Sequence, residues 1–436
     1  VFDSFTISSI QDSDIIPSNW QEFLSNRQNK KIFVHYFSDT ILKVHQLSNS
    51  SVPLFVSGGF ADGELCKVCV SNSISLSPLY QSNSMEGDFR IWLHAHLVSK
   101  SNILIFSKDT DSYMIGLPLD FDNKRVLINI GGKTSNETYI SISNLRKNIL
   151  TDVNLHSLNK QILPKVFQSI FIATGCDYVS SFKKISKTKV FSIFYQYATF
   201  IISSSEYLGS LHQTGVDDYN LGFLSFIRLV GCLFFTRCNV AFHDLGVKDK
   251  NPTSLFKYFA EEHFHSLDQS ISIHRAWLSS IREKISERET IGDNLLPSFE
   301  ALLLHWKRAC WVSQIWSQSI QNTMHINPIE NWGWEINDSG KVSFTWDSKE
   351  NMNKAISEEL YLTKGCGCKK DPMCSRNCGC KTNFPDGCGP ACLCQGNCFN
   401  PLNINNVDID NNTDDEDNSD SDSDSDDNDD EEVKLP

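Results

Sequence analysis

The stretch Asn102-Ile-Leu-Ile-Phe-Ser-Lys-Asp-Thr-Asp111 carries the clearest signal of fold class. Ile103 to Phe106 are apolar without alternation, which reads as a strand buried on both faces of a parallel sheet. Two acids, Asp109 and Asp111, follow it at once. Open α/β sheets bind their ligands at the carboxyl ends of strands, so these carboxylates stand where such a fold keeps its chemistry. On either side of this stretch, Val52–Val56 and Arg125–Ile130 read as further strands, and Lys30–Val44, Glu86–Ser99 and Lys165–Thr174 as helices. That alternation predicts an α/β domain over residues 1–205, with a parallel sheet covered by helices on both faces.

Other acids join the pair. Glu86 and Asp88 open a helix in Met85-Glu-Gly-Asp-Phe-Arg90. Two positions apart, they would diverge by about 200° within a regular helix, so one belongs to the first turn or before it. Asp177 follows an apolar helix in Thr174-Gly-Cys-Asp-Tyr178, and Asp3 ends Val1-Phe2-Asp3. Taken singly, each reads equally as a surface charge or a helix cap. Convergent carboxylates, however, cannot all ionise without counter-charge. Two Mg²⁺ or Mn²⁺ ions supply it, since they take hard oxygen ligands and suit phosphodiester hydrolysis. Arg90 reads mainly as a structural ion pair, with orientation of a carboxylate or a phosphate as the alternative.

The order Phe2-Asp3, Glu86-Gly-Asp88, Asp109-Thr-Asp111, Gly175-Cys-Asp177-Tyr178 resembles the flap-endonuclease branch of the PIN-like nucleases. The resemblance implies a PIN-like α/β fold and a two-metal nuclease site formed by Asp3, Glu86, Asp88, Asp109, Asp111 and Asp177. In that family another Asp lies on the first strand. This chain starts at Val1, not Met, so that strand is expected upstream. The family's glycine turn that grips backbone phosphates is replaced here by Ser181-Phe-Lys-Lys-Ile-Ser-Lys-Thr-Lys189. Lys183, Lys184, Lys187 and Lys189 are then the candidate phosphate contacts, a solvated helix face being the other reading.

Residues 206–330 read as mostly helical, with an aromatic amphipathic stretch from Leu303 to Trp316. Residues 331–363 hold a Trp-rich hairpin turning at Asp338-Ser-Gly340, then a linker. The longest apolar run, Leu221 to Phe235, is broken by Ser225 and Arg228 and is too short to span a bilayer, so no membrane partner is expected. The net charge of −14 over 436 residues misleads, because residues 403–436 alone carry 15 acids and one Lys. The body is neutral, so no global basic field argues for nucleic acid.

The 15 cysteines are as uneven. Nine fall in one cluster: Cys366, Cys368, Cys374, Cys378, Cys380, Cys388, Cys392, Cys394 and Cys398. A dense cluster in an otherwise cysteine-poor chain reads as metal binding in a reducing compartment rather than a disulfide framework. Nine thiolates cannot fill three separate tetrahedral sites, but three Zn²⁺ sharing three bridging thiolates fit. With few apolar side chains nearby, metal must supply the folding energy. The segment 364–401, with Lys369-Lys370 and Cys398-Phe-Asn400, resembles the tesmin-type CXC domain. That implies three zinc ions, a nuclear location and DNA as partner, with Lys369 and Lys370 as contacts. The family's minor-groove Tyr is Asn377 here and one copy is present, so a structural or protein-contact module is the alternative. Metal buffering by the cluster is a further, weaker one. Cys66-x-x-Cys69 lacks a second pair and reads as strand; Cys176 lacks a His partner and reads as inert.

Residues 402–436 are Asn, Asp and Ser with almost nothing apolar, an expected disordered acidic tail. It either solubilises the chain or attracts basic proteins, and its Ser-Asp repeats suit acid-directed kinases. The whole order resembles a group of multicopy, transposon-associated animal proteins. Two functions are thus expected: a metal-dependent nuclease, or a nucleic-acid- or chromatin-binding protein on a degenerate nuclease fold.

Overall fold

The computed structural model describes residues 6–347 apart from 16, 85, 122, 132–137, 203–220, 239–241, 263–268, 287–294 and 346. Asp3, the nine clustered cysteines, Lys369, Lys370 and the acidic tail lie outside the described residues. The chain divides into two units at Thr363 and Lys364, and all the described residues belong to the first.

The first unit opens with helices α1 (Trp20–Ser25) and α2 (Arg27–Leu47). Asn26 starts α2 by accepting from the backbone N–H groups of Gln28 and Asn29. Strands β1 (Leu54–Ser57), β2 (Cys66–Val70) and β3 (Ser73–Leu76) follow as an antiparallel meander. Ser71 and Asn72 join β2 to β3 with φ of 47° and 63°. Positive φ at both positions is the type I′ turn whose twist suits a two-residue hairpin. Cys66 and Cys69 are buried in β2, as their reading as strand residues required.

Helix α3 (Gly87–Leu97), strand β4 (Asn102–Phe106), helix α4 (Thr110–Gly116), strands β5 (Arg125–Asn129) and β6 (Tyr139–Ser141) and helix α5 (Ile142–Thr151) come next. β4 pairs with β5 in parallel, and β5 with β6 antiparallel. The expected parallel sheet with helices on both faces is therefore corrected to two small sheets. Among the described residues only β4 and β5 run parallel. The physical reason is loop length. About a dozen residues are needed for a parallel crossover, and residues 130–138 are too few. Nor is β4 buried on both faces: Leu104 is 46% and Phe106 68% exposed, while Ile105 is buried.

The rest is helical: α6 (Leu163–Ala173), α7 (Lys187–Ile201), α8 (Leu221–Cys238), α9 (Pro252–Glu262), α10 (Gln269–Ser286) and α11 (Phe299–Trp316). A hairpin of β7 (Trp334–Ile336) and β8 (Val342–Phe344) then turns at Asn337–Lys341, as its sequence required. No described helix is long and apolar enough to cross a membrane.

One apolar cluster runs through the first unit. Trp92, Ile105, Ile128 and Phe167 belong to it together with Phe226, Trp277, Trp306 and Trp332. Each large side chain so buried contributes about 1.5–3 kcal/mol. Among the described residues the α/β part from α3 onward and the helical part share this cluster, while Leu42, Phe60 and Cys69 form a smaller one of their own. Gly116 marks a close approach within it: a Cβ there would lie 2.0 Å from the Trp92 ring. The Trp92 indole of α3 thus packs directly against Gly116 of α4, and its Nε1 donates to the Ser112 carbonyl at 2.8 Å.

Candidate metal and active site

The Trp92 contact fixes α3 against α4, and with them the acids at their N-termini. Glu86 is the N-cap residue of α3 and Asp88 lies in its first turn. Asp109 caps α4, its Oδ1 accepting from the Asp111 backbone N–H at 2.9 Å, and Asp111 lies in that helix's first turn. Asp177 arrives from a third segment. Gly175 turns the chain out of α6 with φ of +123°, and a Cβ there would lie 2.8 Å from the Ser181 side chain. A left-handed turn packed that tightly accepts only glycine. Cys176 and Val179 then bond each other's backbone at 2.9 and 3.2 Å, which puts Asp177 and Tyr178 at the tip of a tight loop.

The three segments converge. Burial raises the Asp88 carboxyl above its ordinary range despite a hydrogen bond from Ser112, and the charges of Asp109, Glu86 and Asp177 add to the rise. Burial again leads for Asp111, followed by Asp109, Asp177 and Asp88, and its carboxyl is pushed up to about 6. Five of the six carboxylates expected from the sequence therefore share one field: Glu86, Asp88, Asp109, Asp111 and Asp177. Neutral groups hold part of the set. Tyr178 donates its hydroxyl to Glu86 at 2.6 Å, and Ser112, itself 2.7 Å from Ser107 Oγ, donates to Asp88.

The fit to a cation has two sides. Asp88 and Asp111 are half-buried and raised by the acids around them, an excess of negative charge that a divalent ion would offset. On the other side, among the described residues no three His, Cys, Asp or Glu form a ready ligand set. The donor chemistry suits Mg²⁺ or Mn²⁺, which retain waters, rather than a closed protein cage.

The basic residues divide. Lys183, Lys184 and Lys189 have exposed side chains beside the loop. Lys187 does not point outward as a phosphate contact would. Its ammonium donates to the Phe171 carbonyl, to Gly175 O at 2.5 Å and to Thr174 Oγ1 at 3.1 Å, and sits 4.0 Å from the Phe171 ring centre. Burial pushes it down to about 8, although the Asp111 charge acts the other way. Lys187 is a cap on the C-terminus of α6, and its charge acts against the rise of the Asp111 carboxyl.

Arg90 departs from the ion pair expected. It is buried, and its guanidinium donates to neutral oxygens: Ser84 O at 2.8 Å, Ser82 O at 2.9 Å, Ser57 Oγ at 2.8 Å and Gly63 O at 2.5 Å. It ties β1 and the segment before Glu86 together. Burial also raises the Cys176 thiol, which agrees with its reading as inert. The sequence pointed to the acids but missed Ser112 and Tyr178 as their donors; a Ser one residue beyond Asp-x-Asp, and the Tyr after Asp177, were the available signals. No family model matches the chain, and no curated protein or solved structure matches it either.

Proposed function

We propose that the first unit is a metal-dependent nuclease hydrolysing phosphodiester bonds of structured or single-stranded nucleic acid. One observation carries this reading: charges from three separate segments meet at the N-termini of α3 and α4, Glu86, Asp109 and Asp177 adding to the rise of the Asp88 carboxyl, and Asp109, Asp177 and Asp88 to that of Asp111. Glu86, Asp88, Asp109, Asp111 and Asp177 would hold Mg²⁺ or Mn²⁺, with Asp3 as a sixth ligand by resemblance. When bound, the cations supply the Lewis acidity that activates water and offsets charge on the leaving oxygen. Asp109 and the Trp92 contact orient the α4 acids, the Cys176–Val179 turn orients Asp177, and the exposed Lys183, Lys184 and Lys189 would meet backbone phosphates. The cysteine cluster is proposed to bind three Zn²⁺ as a CXC module, with Lys369 and Lys370 toward DNA in the nucleus and the acidic tail toward basic proteins.

A second reading has its own support. Tyr178 and Ser112 already occupy oxygens of Glu86 and Asp88, as in a nuclease fold retired to nucleic-acid or chromatin binding. The test is cleavage of labelled flap, hairpin and single-stranded DNA and RNA with Mg²⁺ or Mn²⁺, with EDTA, and with an Asp109→Asn, Asp177→Asn double variant alongside. Metal-dependent cleavage lost in the variant supports the nuclease. Binding without cleavage by the folded protein supports the second reading.

A further inference from the structure

The acids of the site sit in the first half of the first unit, yet side chains and backbone between residues 305 and 324 bond to the segments that carry them. Asn83 lies three residues before Glu86. Its side-chain amide pairs with the backbone of Met324 in both directions: Met324 N–H donates to Asn83 Oδ1 at 2.8 Å, and Asn83 Nδ2 donates to Met324 O at 3.0 Å. The Asn83 N–H donates to Asn322 O at 3.2 Å. Asn322 Nδ2 in turn donates to Leu79 O at 2.9 Å and Gln81 O at 2.7 Å. Five hydrogen bonds thus stitch residues 322–324 to residues 79–83, which lead into Glu86. The Met324 side chain is buried beneath them.

The same C-terminal stretch holds the other side of the site. His305 of α11 is buried, stacked on Phe182 and Phe226. Its Nε2–H donates to the Ala173 carbonyl at 2.7 Å, four residues before Asp177. Trp316, at the end of α11, meets Phe171 of α6. From Phe299 to Met324 one segment therefore grips both the loop bearing Asp177 and the segment bearing Glu86 and Asp88.

We propose that residues 299–324 are the outer brace of the carboxylate site, and that Asn83 and Asn322 are positioning residues that set the Glu86/Asp88 pair against Asp177. The proposal rests on the metal-site reading for its functional consequence, but the brace itself does not. Groups that orient metal ligands without touching the metal commonly matter tenfold to a hundredfold in affinity. Asn322 is exposed, so removing its side chain leaves no cavity, only two carbonyls returned to water.

The test uses the whole chain, with Asn322→Ala, Asn83→Ala and, as a neighbouring control, Thr323→Ala. Two quantities are read on each folded protein: hydrogen exchange of the amides in residues 79–88, and Mn²⁺ affinity by electron paramagnetic resonance. Asn322→Ala is expected to exchange about tenfold faster there, the equivalent of its two lost hydrogen bonds. It is also expected to bind Mn²⁺ about tenfold or more weakly, Asn83→Ala more weakly still, and Thr323→Ala like the wild type. A purely structural role would lower the melting temperature while leaving Mn²⁺ affinity of the folded protein unchanged, and that result overturns the proposal. If the wild type binds no Mn²⁺, the metal reading fails and exchange alone decides the brace, which unchanged protection at 79–88 would refute.

Discussion

Replacing Asp111 with asparagine is expected to make the metal-free protein more stable, although it removes a residue of the proposed site. Burial and the charges of Asp109, Asp177 and Asp88 push its carboxyl up to about 6 from an ordinary 3.8. A shift of roughly two units corresponds to about 3 kcal/mol. Partial exposure and screening reduce that to about 1–2 kcal/mol. Asp111 also favours the N-terminus of α4, so its loss takes back about 0.3–1 kcal/mol. The net gain is then about 1 kcal/mol. Its pH dependence follows from the sign of the shift. The folded-state pKa lies above the unfolded one, so the penalty of ionising Asp111 grows as pH rises from about 4 to about 6 and is complete above that. Urea denaturation in EDTA should therefore place the Asp111→Asn midpoint above the wild type at about pH 8, with the difference gone near pH 4. Added Mn²⁺ should reverse the order, because the wild type binds it better when folded. A midpoint unchanged or lowered at about pH 8 in EDTA would refute the crowding on which the site was argued.

Four further outcomes are expected. Asp109→Asn should abolish cleavage while keeping the α4 cap, whereas Asp109→Ala should in addition lose about 1 kcal/mol of stability, which denaturation curves of the pair resolve. Lys187→Met strips the cap from α6 and should lose about 2–3 kcal/mol in the same assay, a larger loss than any of Lys183, Lys184 or Lys189 to Ala produces. Those three should instead weaken nucleic-acid binding and lower its salt slope by about one each. His305, buried and held down to about 4, is neutral in the fold and takes a proton only on unfolding. Its contribution is present above about pH 6.5 and lost as pH falls through about 4, up to about 3 kcal/mol, and His305→Gln should flatten that part of the acid titration. Metal analysis of the whole chain should find three zinc ions, held against a weak chelator; fewer would count against the shared-thiolate cluster.

What was legible in the sequence was local. The strand Asn102–Phe106 and the helices around Glu86 and Lys165 stand where apolar pattern and caps put them. The acids are legible only as a set, by their order and spacing along the chain, since a carboxylate at a helix start is by itself as readily a cap, which Asp109 also is. The sheet was misjudged because an apolar run speaks for burial on both faces, while the partner strands are set by loop lengths and by the Ser71-Asn72 turn, which lacks the usual glycine. Lys187 was misjudged for a related reason. In a run of four lysines, nothing marks the one whose ammonium folds back onto α6. Arg90 with no carboxylate, and Asn83 with Asn322, were beyond reach because their partners are backbone carbonyls, which no residue type announces.

The stitching of Asn83 to Met324 also sets an order in time. The two residues are 241 positions apart. At ribosomal rates of about 5–20 residues per second, the first waits some tens of seconds for the second. Contacts that close so long a loop form late in folding as well, after local helices and hairpins. The nascent chain thus carries its acids well before it carries the residues that fix their spacing. A product ending before Asn322 would keep every acid of the three converging segments but lack the five hydrogen bonds that tie residues 79–83 to residues 322–324, and under the proposal above it would bind Mn²⁺ more weakly.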